Sequence, residues 1–189
     1  MPRRRSITIY TIGHSTLLFD EFVGRLKSFR VAILADIRSL PGSKRWPQFN
    51  REAMEEHLPN RGVEYVWLQA LGGRRSRGLG KSSPNMAWEK LSFRNYADYM
   101  LTPDFAAGID ALLSIARRGT TAIMCAEALY WRCHRRLVSD YLVSHGVAVE
   151  HIMSARASRP HALTPAARAQ KDGSLVYPPG ASLFASNVE

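Results

Sequence analysis

Two nearly continuous apolar runs restrict the fold of this chain more than any other feature of its sequence. The runs are VAILADIR, residues 31–38, and TTAIMCAEA, residues 120–128. Neither run shows the polar alternation of a half-exposed strand, so both are predicted to be strands that are covered on both faces. Such strands occur in parallel sheets whose crossover helices pack on both faces. The sequence therefore predicts an α/β fold.

Strand and helix patterns alternate along most of the remaining chain. Further strands are predicted at residues 6–13, 62–68 and 147–152. Apolar residues at three- and four-residue steps predict helices over about residues 19–29, 93–100, 105–116 and 132–145, and Asn50 can begin a short helix that ends near residue 58. This order is typical of a mostly parallel sheet with helices on both faces, in a Rossmann-like or related three-layer arrangement.

The length of 189 residues is that of a single domain. We assign residues 1–152 to the α/β domain and residues 153–189 to a C-terminal extension, which has little periodicity and holds four of the ten prolines. The extension is expected to pack on the surface or to be partly disordered.

The chain is strongly basic, with 26 lysines and arginines against 16 acidic residues and a formal charge of +10. Arginine supplies 21 of these cations, and its planar guanidinium suits phosphate, so we expect an anionic ligand, such as a nucleotide or a nucleic acid. The apolar stretch after the first arginines is too short for a signal peptide or a membrane span. Two cysteines are too few for a disulfide scaffold. We therefore expect a cytoplasmic protein with no membrane partner.

Side chains of the types that take part in catalysis or ligand binding follow the predicted strands at the points where the strands end. In a parallel α/β sheet these ends lie along one edge, where ligands bind. Folding can therefore gather residues from distant parts of the chain into one site. The residues at these ends are His14, Ser15, Asp36, Arg38, the loop of residues 72–77, Cys125 and Glu127.

The stretch CAEALYWRCHRR, residues 125–136, is the densest of these. Cys125 is either a thiolate nucleophile, with its pKa lowered by nearby arginines and a helix N-terminus, or a small buried hydrophobe. Glu127 can transfer protons, hold an arginine or cap a turn, and the arginines that follow favour pairing with one of them.

The second half of this stretch opens the last predicted helix. Cys133 shares a helical stripe with Leu137 and Tyr141, which favours a structural role. His134 is a candidate general base, a candidate hydrogen-bond donor to a phosphate, or a helix cap. Arg135 and Arg136 oppose the helix dipole there, so an anion or an acidic side chain is expected beside them.

Spacing argues against three known arrangements. The cysteine phosphatase loop has five residues between its Cys and Arg, whereas Cys125 and Arg132 have six between them, including three bulky ones. Cysteines and histidines do not occur at the paired short spacings of structural zinc sites. Neither GxxxxGK[ST] nor GxGxxG is present, so a nucleotide site of those types is unsupported.

Two loops combine cations with flexible or aromatic residues. GGRRSRGLGK, residues 72–81, is either a phosphate clamp or a solvated loop. Lys44 and Arg45 precede Trp46 in the second loop, which favours either stacking on a base or a Trp-Pro packing corner.

Five ordered motifs together resemble the family known as domain of unknown function 488. They are TIGHS, ADIRSLPGSKRWPQFN, LGGRR, YADYM and MCAEALYWRCHRRLVSDYL, and the resemblance runs from about Ile9 to Ile152 and continues weakly beyond. It implies an α/β fold but no activity, because the family name carries none. The positions that the family pattern singles out here are Gly13, His14, Ser15, Asp36, Arg38, Gly72, Gly73, Arg74, Cys125, Glu127, Cys133, His134 and Arg135.

The first functional hypothesis is an enzyme that acts on a phosphate-bearing small molecule or nucleic acid, with no cofactor and no metal. A non-catalytic nucleic-acid-binding module is the alternative, and a redox or metal module through Cys125 and Cys133 is a third hypothesis. The candidate catalytic residues of the enzyme are Cys125, Glu127, His134, His14 and Asp36, and the candidate substrate-binding residues are Ser15, Arg38, Gly73, Arg74 and Arg135.

Overall fold

The computed structural model describes residues 7–183. The remaining residues, 1–6 and 184–189, include the first position of the predicted first strand and the end of the extension, and these lie outside the described part.

A six-stranded sheet forms the centre of the molecule. Its strands are β1 (Thr8–Gly13), β2 (Ile33–Asp36), β3 (Glu64–Trp67), β4 (Thr121–Cys125), β5 (Ala148–Ile152) and β6 (Ser158–Pro160). They lie in the order β3-β2-β4-β1-β5-β6. All neighbours pair in parallel except β5 and β6, which are antiparallel. The predicted mostly parallel sheet is confirmed, although β4 lies between β1 and β2, unlike the Rossmann order.

Five α-helices occur within residues 7–183, and they cover both faces of the sheet. They are α1 (Phe19–Ser28), α2 (Arg51–His57), α3 (Leu91–Tyr99), α4 (Pro103–Ala116) and α5 (Arg135–Ser144). Apolar residues of α1 and α2 form one core cluster with one face of the sheet. Residues of α3, α4 and α5 form a second cluster on the opposite face. The α/β architecture with helices on both faces agrees with the sequence prediction.

The start of α4 illustrates how local sequence determines an element boundary. Pro103 occupies the first turn, where its fixed φ fits a helix and its missing N–H group is not needed. The side chain of Thr102 accepts a hydrogen bond from the backbone N–H of Phe105. These two residues separate α4 from α3.

The extension adds apolar residues to the second core cluster. Ala166, Leu175 and Tyr177 are almost fully buried within it. Two short strands, β7 (Arg168–Ala169) and β8 (Leu175–Val176), pair antiparallel in this region. The extension therefore adds the edge strand β6 to the sheet, and its residues 166–177 contribute to the core on the face where α5 lies.

The strand order brings three carboxyl ends together. Gly13 of β1 pairs with Cys125 of β4, and Asp36 of β2 pairs with Met124 on the other side of β4. Residues that follow β1, β2 and β4 therefore share one short stretch of the sheet edge. None of the helices in residues 7–183 has the length and apolar character needed to cross a membrane.

Candidate active site

Backbone hydrogen bonds extend the sheet beyond the ends of its strands. The amide of His14 donates to the carbonyl oxygen of Cys125 at 3.1 Å, and that of Ser15 donates to Ala126 at 2.9 Å. On the other side, the amide of Ile37 donates to Met124 at 3.0 Å. These bonds hold the segments that follow β1 and β2 against the segment that follows β4.

A cavity of about 630 Å³ opens where these segments meet. This volume is within the range of about 300–1,000 Å³ for small-molecule sites. The predicted site residues that line the cavity are His14, Ser15, Arg38, Gly73, Arg74, Cys125, Glu127 and His134. Two other predicted residues, Asp36 and Arg135, are not among the lining residues, although both are buried nearby.

Arg38 is held in place by a buried carboxylate. Its Nε lies 2.9 and 3.0 Å from the two carboxylate oxygens of Asp36, and its Nη2 donates to the same carboxylate and to the carbonyl oxygen of Phe49. The hydroxyl of Tyr65 also donates to Asp36, at 2.7 Å. Burial is the main cause of the raised pKa of Tyr65, with the nearby carboxylate adding to it, so the phenol stays protonated and remains a donor. Asp36 therefore holds the guanidinium of Arg38 in place and does not itself line the cavity.

His14 is a neutral imidazole wedged between Arg38 and Phe49. Its ring stacks on that of Phe49, with centroids 4.3 Å apart. Burial, together with the charge of Arg38, lowers the pKa of His14 to about 4. Because Arg38 Nη1 is a donor 3.3 Å from Nε2, this nitrogen accepts, and Nδ1 donates to the carbonyl oxygen of Ser15 at 3.1 Å. Both ring nitrogens are thus engaged.

Two thiols and one imidazole form a compact cluster in the cavity wall. Nδ1 of His134 lies 3.4 Å from Sγ of Cys133 and 3.9 Å from Sγ of Cys125. The three atoms lie within 4.8 Å of one another, so they can hold one metal ion. Within residues 7–183, no other group of three such side chains comes this close.

The two thiols have opposite pKa shifts. A hydrogen bond to Cys133, together with burial, raises the pKa of Cys125 well above its usual value. Burial alone would raise the pKa of Cys133, but the Cys125 thiol, His134 and Arg135 stabilise the thiolate and lower it well below the usual range. The surroundings therefore favour ionisation of the Cys133 thiol and oppose that of the Cys125 thiol.

Three contacts hold the imidazole of His134. Its Nε2 lies 2.9 Å from the carbonyl oxygen of Ile37, which can only accept, so Nε2 carries a proton. The ring of Tyr96 packs against it with centroids 5.1 Å apart. Gly73 lies on the remaining side, where an added Cβ would come within 2.4 Å of Nδ1. The loop of residues 72–77 therefore contributes a close backbone approach to the site.

Glu127 extends from a loop that is held by backbone contacts. A Cβ on Gly13 would lie 2.0 Å from the carbonyl oxygen of Glu127, so only glycine allows this approach. Arg135 donates through Nη2 to the carbonyl oxygens of Glu127 and Ala128, and so binds the loop backbone in place of the predicted carboxylate. The Glu127 side chain itself is exposed and lines the cavity.

Arg136, beside which the sequence predicts an anion or an acidic side chain, also contacts neighbouring segments. Its guanidinium donates to the hydroxyl of Thr164 at 2.9 Å and to the carbonyl oxygen of Leu183, and it lies over the ring of Trp88. Both arginines at the start of α5 therefore help to hold neighbouring segments in place.

Three exposed cations line the cavity: Arg74, Lys90 and Arg132. The backbone amide of Arg74 donates to the hydroxyl of Ser39 at 2.8 Å, and the residue is exposed. Glu127 is the sole acidic residue among the lining residues, and Arg38 is neutralised by Asp36. The cavity is therefore positively charged.

Several lining residues were not among the predicted site residues. Lys90 and Phe93 come from the start of α3, for which the sequence showed only helical spacing. Arg132 was noticed beside Cys125 but was not given a role. Trp46 also lines the cavity, and the sequence alone favours neither base stacking nor a Trp-Pro packing corner for it. The signal for Arg132 was present in its position within CAEALYWRCHRR, whereas nothing in the local sequence indicated Lys90.

The fold and the site define a class of protein, namely an α/β domain with a basic cavity that is lined by thiols and imidazoles at the carboxyl edge of its sheet. The chain belongs to the family described as Domain of unknown function DUF488, whose model matches residues 19–142. This match includes Asp36, Gly73 and the whole Cys125–Arg135 stretch, and it begins after His14. No curated protein and no solved structure matches the chain.

Proposed function

We propose that the protein is an enzyme that acts on a phosphate-bearing small molecule, or on a phosphate group of a nucleic acid, bound in this cavity. The observation that carries the proposal is the composition of the cavity wall. Exposed guanidinium and ammonium groups of Arg74, Lys90 and Arg132 face the same 630 Å³ space as the Glu127 carboxylate and the Cys125–Cys133–His134 cluster. Cations beside acid-base and thiol groups in one concavity are typical of an enzyme that binds an anion.

The cations divide into binding and positioning groups. Arg38 has most of its donors committed to Asp36 and Phe49, so its role is to hold His14. Arg74 and Arg132 are exposed and can turn toward an anion, which a guanidinium binds with two donors at once. They are the phosphate-binding residues of the proposal.

The apolar part of the wall fits the organic part of such a ligand. Leu40, Trp46 and Phe93 line the same cavity as the cations. Aromatic side chains of this kind stack on bases, and each such contact contributes about 1–3 kcal/mol. A nucleotide combines a phosphate with a flat apolar ring, and it is therefore the first ligand to test.

Glu127 is the proton-transfer group of the proposal. Its carboxylate is exposed to the cavity, while its backbone is held by Arg135 and by the close approach of Gly13. A carboxylate on a fixed backbone beside a bound anion has the placement that general acid-base catalysis needs. Cys125 remains either a nucleophile or part of the wall, and a Cys125→Ser variant with full activity would exclude the nucleophilic role.

Calorimetric titration with AMP and with inorganic phosphate tests the anion site. Arg132→Ala should weaken AMP binding about 10- to 100-fold, because a hydrogen bond to a charged group contributes about 1.5–3 kcal/mol. Arg117→Ala is the matched control, since Arg117 is also exposed but lies near the start of β4, at the opposite edge of the sheet. Equal losses in the two variants, or no binding of either probe by the unmodified protein, would contradict the proposal.

A panel of phosphorylated metabolites, nucleotides and short oligonucleotides then tests catalysis, with products identified by mass spectrometry. Turnover that disappears in Glu127→Gln while AMP affinity is retained is the expected result. Nucleic-acid binding that weakens steeply with salt, with no turnover of any panel member, would instead favour the non-catalytic module.

A further inference from the structure

We propose that Cys125, Cys133 and His134 bind one zinc ion, whose fourth coordination position opens into the cavity. The two sulfurs and the imidazole Nδ1 converge from the end of β4 and the start of α5. This inference does not depend on the anion site, because none of its three ligand residues is a phosphate-binding residue of the proposed function.

The separations of the three atoms fit a tetrahedral ion. With Zn–S bonds of about 2.3 Å and a Zn–N bond of about 2.0 Å, two ligand atoms of a tetrahedral site are about 3.5–3.8 Å apart. Nδ1 of His134 lies 3.4 Å from Cys133 Sγ and 3.9 Å from Cys125 Sγ, and all three atoms lie within 4.8 Å of one another. The two sulfur–nitrogen distances match a tetrahedral site to within about 0.4 Å, and the two sulfurs, at most 4.8 Å apart, need to approach by no more than about 1 Å.

The surroundings of the cluster prepare its atoms for a metal. Metal-binding histidines nearly always donate their second ring N–H to a carbonyl or carboxylate, which fixes the tautomer. His134 does so through Nε2 and the carbonyl oxygen of Ile37, which leaves Nδ1, the nitrogen on the side of the sulfurs, as the atom that can bind the ion. The backbone N–H of Arg135 also points at Cys133 Sγ, at 3.5 Å, as a donor to a coordinating thiolate would.

The number of ligands indicates an open site. Structural zinc sites have four protein ligands, whereas catalytic sites have three and keep one position for water or substrate. Within residues 7–183, the cluster has three members and no fourth. All three residues line the cavity. The vacant position therefore lies on the side from which a small molecule enters.

The ligand set also narrows the choice of ion. Two thiolates and an imidazole suit zinc and other ions that accept sulfur, and they do not suit magnesium or calcium, which prefer oxygen ligands. The sequence had argued against zinc because the paired short spacings were missing. That rule describes closed structural sites, and it does not cover a site that is assembled from a strand end and a helix start. Coordination would also remove both sulfurs from nucleophilic chemistry.

Cobalt is the probe for this site. Full-length protein, prepared with a chelator and a reductant and then freed of both, should bind one Co²⁺ per chain. The expected spectrum has near-ultraviolet thiolate-to-cobalt charge-transfer bands and the intense visible bands of a tetrahedral ion, and Zn²⁺ should displace the cobalt. X-ray absorption of the zinc form should show two sulfurs at about 2.3 Å and one imidazole nitrogen at about 2.0 Å.

Serine variants test each sulfur. Cys133→Ser and Cys125→Ser should each lose the charge-transfer bands and weaken Co²⁺ binding more than about 100-fold, since even supporting residues contribute 10- to 100-fold. His57→Gln, in an exposed residue of α2, is the control and should bind cobalt like the unmodified protein. The absorption measurement on the unmodified protein keeps the test valid if a serine variant fails to fold.

Three outcomes would overturn the proposal. The first is cobalt binding without charge-transfer bands, and the second is charge-transfer bands that survive both serine substitutions. The third is a disulfide between the two cysteines in protein purified without reductant, detected as the absence of titratable thiols after unfolding in denaturant with a chelator. Arg132→Ala should keep cobalt binding and weaken AMP binding, so failure of the metal site and failure of the anion site give different results.

Discussion

Nε2 of His134 lies 2.9 Å from the carbonyl oxygen of Ile37, although the two residues are 97 positions apart in the chain. This hydrogen bond joins the segment after β2 to the start of α5. It also turns Nδ1 toward the sulfurs of Cys125 and Cys133. The orientation of the imidazole in the candidate site is therefore determined by the backbone of a distant strand end.

Gly73 is predicted to be intolerant of any side chain because of the same imidazole. A Cβ there would lie 2.4–2.8 Å from three atoms of the His134 ring, which cannot retreat past Tyr96 and Ile37. Gly73→Ala should therefore lower the free energy of unfolding by about 1–3 kcal/mol, as overpacking does. Urea denaturation measures this, and the imidazole resonances of His134 should shift.

Gly24→Ala is the control for this substitution. Gly24 lies within α1, and an added Cβ would meet nothing within 4 Å. Alanine is the better helix former, so this variant should be more stable by about 0.5–1 kcal/mol. Equal effects of the two substitutions would show that the space around His134 is not limiting.

Asp36→Asn should be strongly destabilising. The Asp36 carboxylate is fully buried and pairs with the guanidinium of Arg38, while the hydroxyl of Tyr65 donates to it. Loss of its charge leaves a buried guanidinium without its counter-ion, which costs about 3–5 kcal/mol. Denaturant unfolding at neutral pH measures this loss.

Asp20→Asn removes an acidic partner of a different kind. Asp20 pairs with Arg61 at 2.8 Å, but its side chain is 78% exposed. Solvent screens such a pair, so the expected loss is less than about 1 kcal/mol. If the Asp36 variant were as stable as this control, its carboxylate would not be needed to hold Arg38.

The sequence predicted which residues lie at strand ends but not which strands are neighbours. His14 lies beside Cys125 because β1 and β4 pair up to the positions of Gly13 and Cys125, and no local pattern specifies that pairing. The hydrogen bond from the hydroxyl of Tyr65 to the buried Asp36, 29 positions away, also cannot be predicted from the local sequence. Asp36 was therefore predicted to be catalytic, whereas it lies behind the cavity wall.

The position of Cys133 shows how a helix boundary changes an interpretation. The sequence placed it on a helical stripe with Leu137 and Tyr141, but α5 begins at Arg135. Cys133 therefore lies before the first turn, where it is buried as predicted and also contacts His134. Helix termini are the least certain part of such a prediction, because capping contacts from other segments decide them.

Stability is predicted to fall in mild acid because of a buried histidine. Burial, followed by the charges of His161, Arg135 and Arg159, lowers the pKa of His151 to about 2. Below the ordinary pKa of about 6.5 the unfolded chain binds a proton that the folded protein does not, so the free energy of unfolding decreases as the pH falls. From pH 7 to pH 5 this residue contributes a loss of about 2 kcal/mol.

His151→Gln tests the origin of this loss. The glutamine amide offers one acceptor and one donor group to Thr11 and His161, which the imidazole contacts at 2.7 and 2.9 Å. Unfolding measured at pH 7 and at pH 5 gives the loss within each protein, so packing effects of the substitution cancel. The variant should lose about 2 kcal/mol less than the unmodified protein. Identical losses would assign the acid sensitivity to other groups.

Tyr177 is predicted to couple the extension to the core through one hydrogen bond. Its hydroxyl donates to a carboxylate oxygen of Asp140 at 2.8 Å, and the other oxygen of that carboxylate contacts His161 and the amide of Thr164. Both Tyr177 and Asp140 are fully buried. Tyr177→Phe leaves one carboxylate oxygen without its donor, so the free energy of unfolding should fall by about 1–3 kcal/mol.

Tyr10→Phe is the control for Tyr177→Phe, because the hydroxyl of the half-buried Tyr10 makes no hydrogen bond within residues 7–183. Its loss should change the free energy of unfolding by less than about 0.5 kcal/mol. If the extension unfolds together with the sheet, Tyr177→Phe should shift a single cooperative transition that is seen alike by fluorescence and circular dichroism. A separate early transition that only Tyr177→Phe shifts would instead show that residues 153–183 detach before the α/β core unfolds.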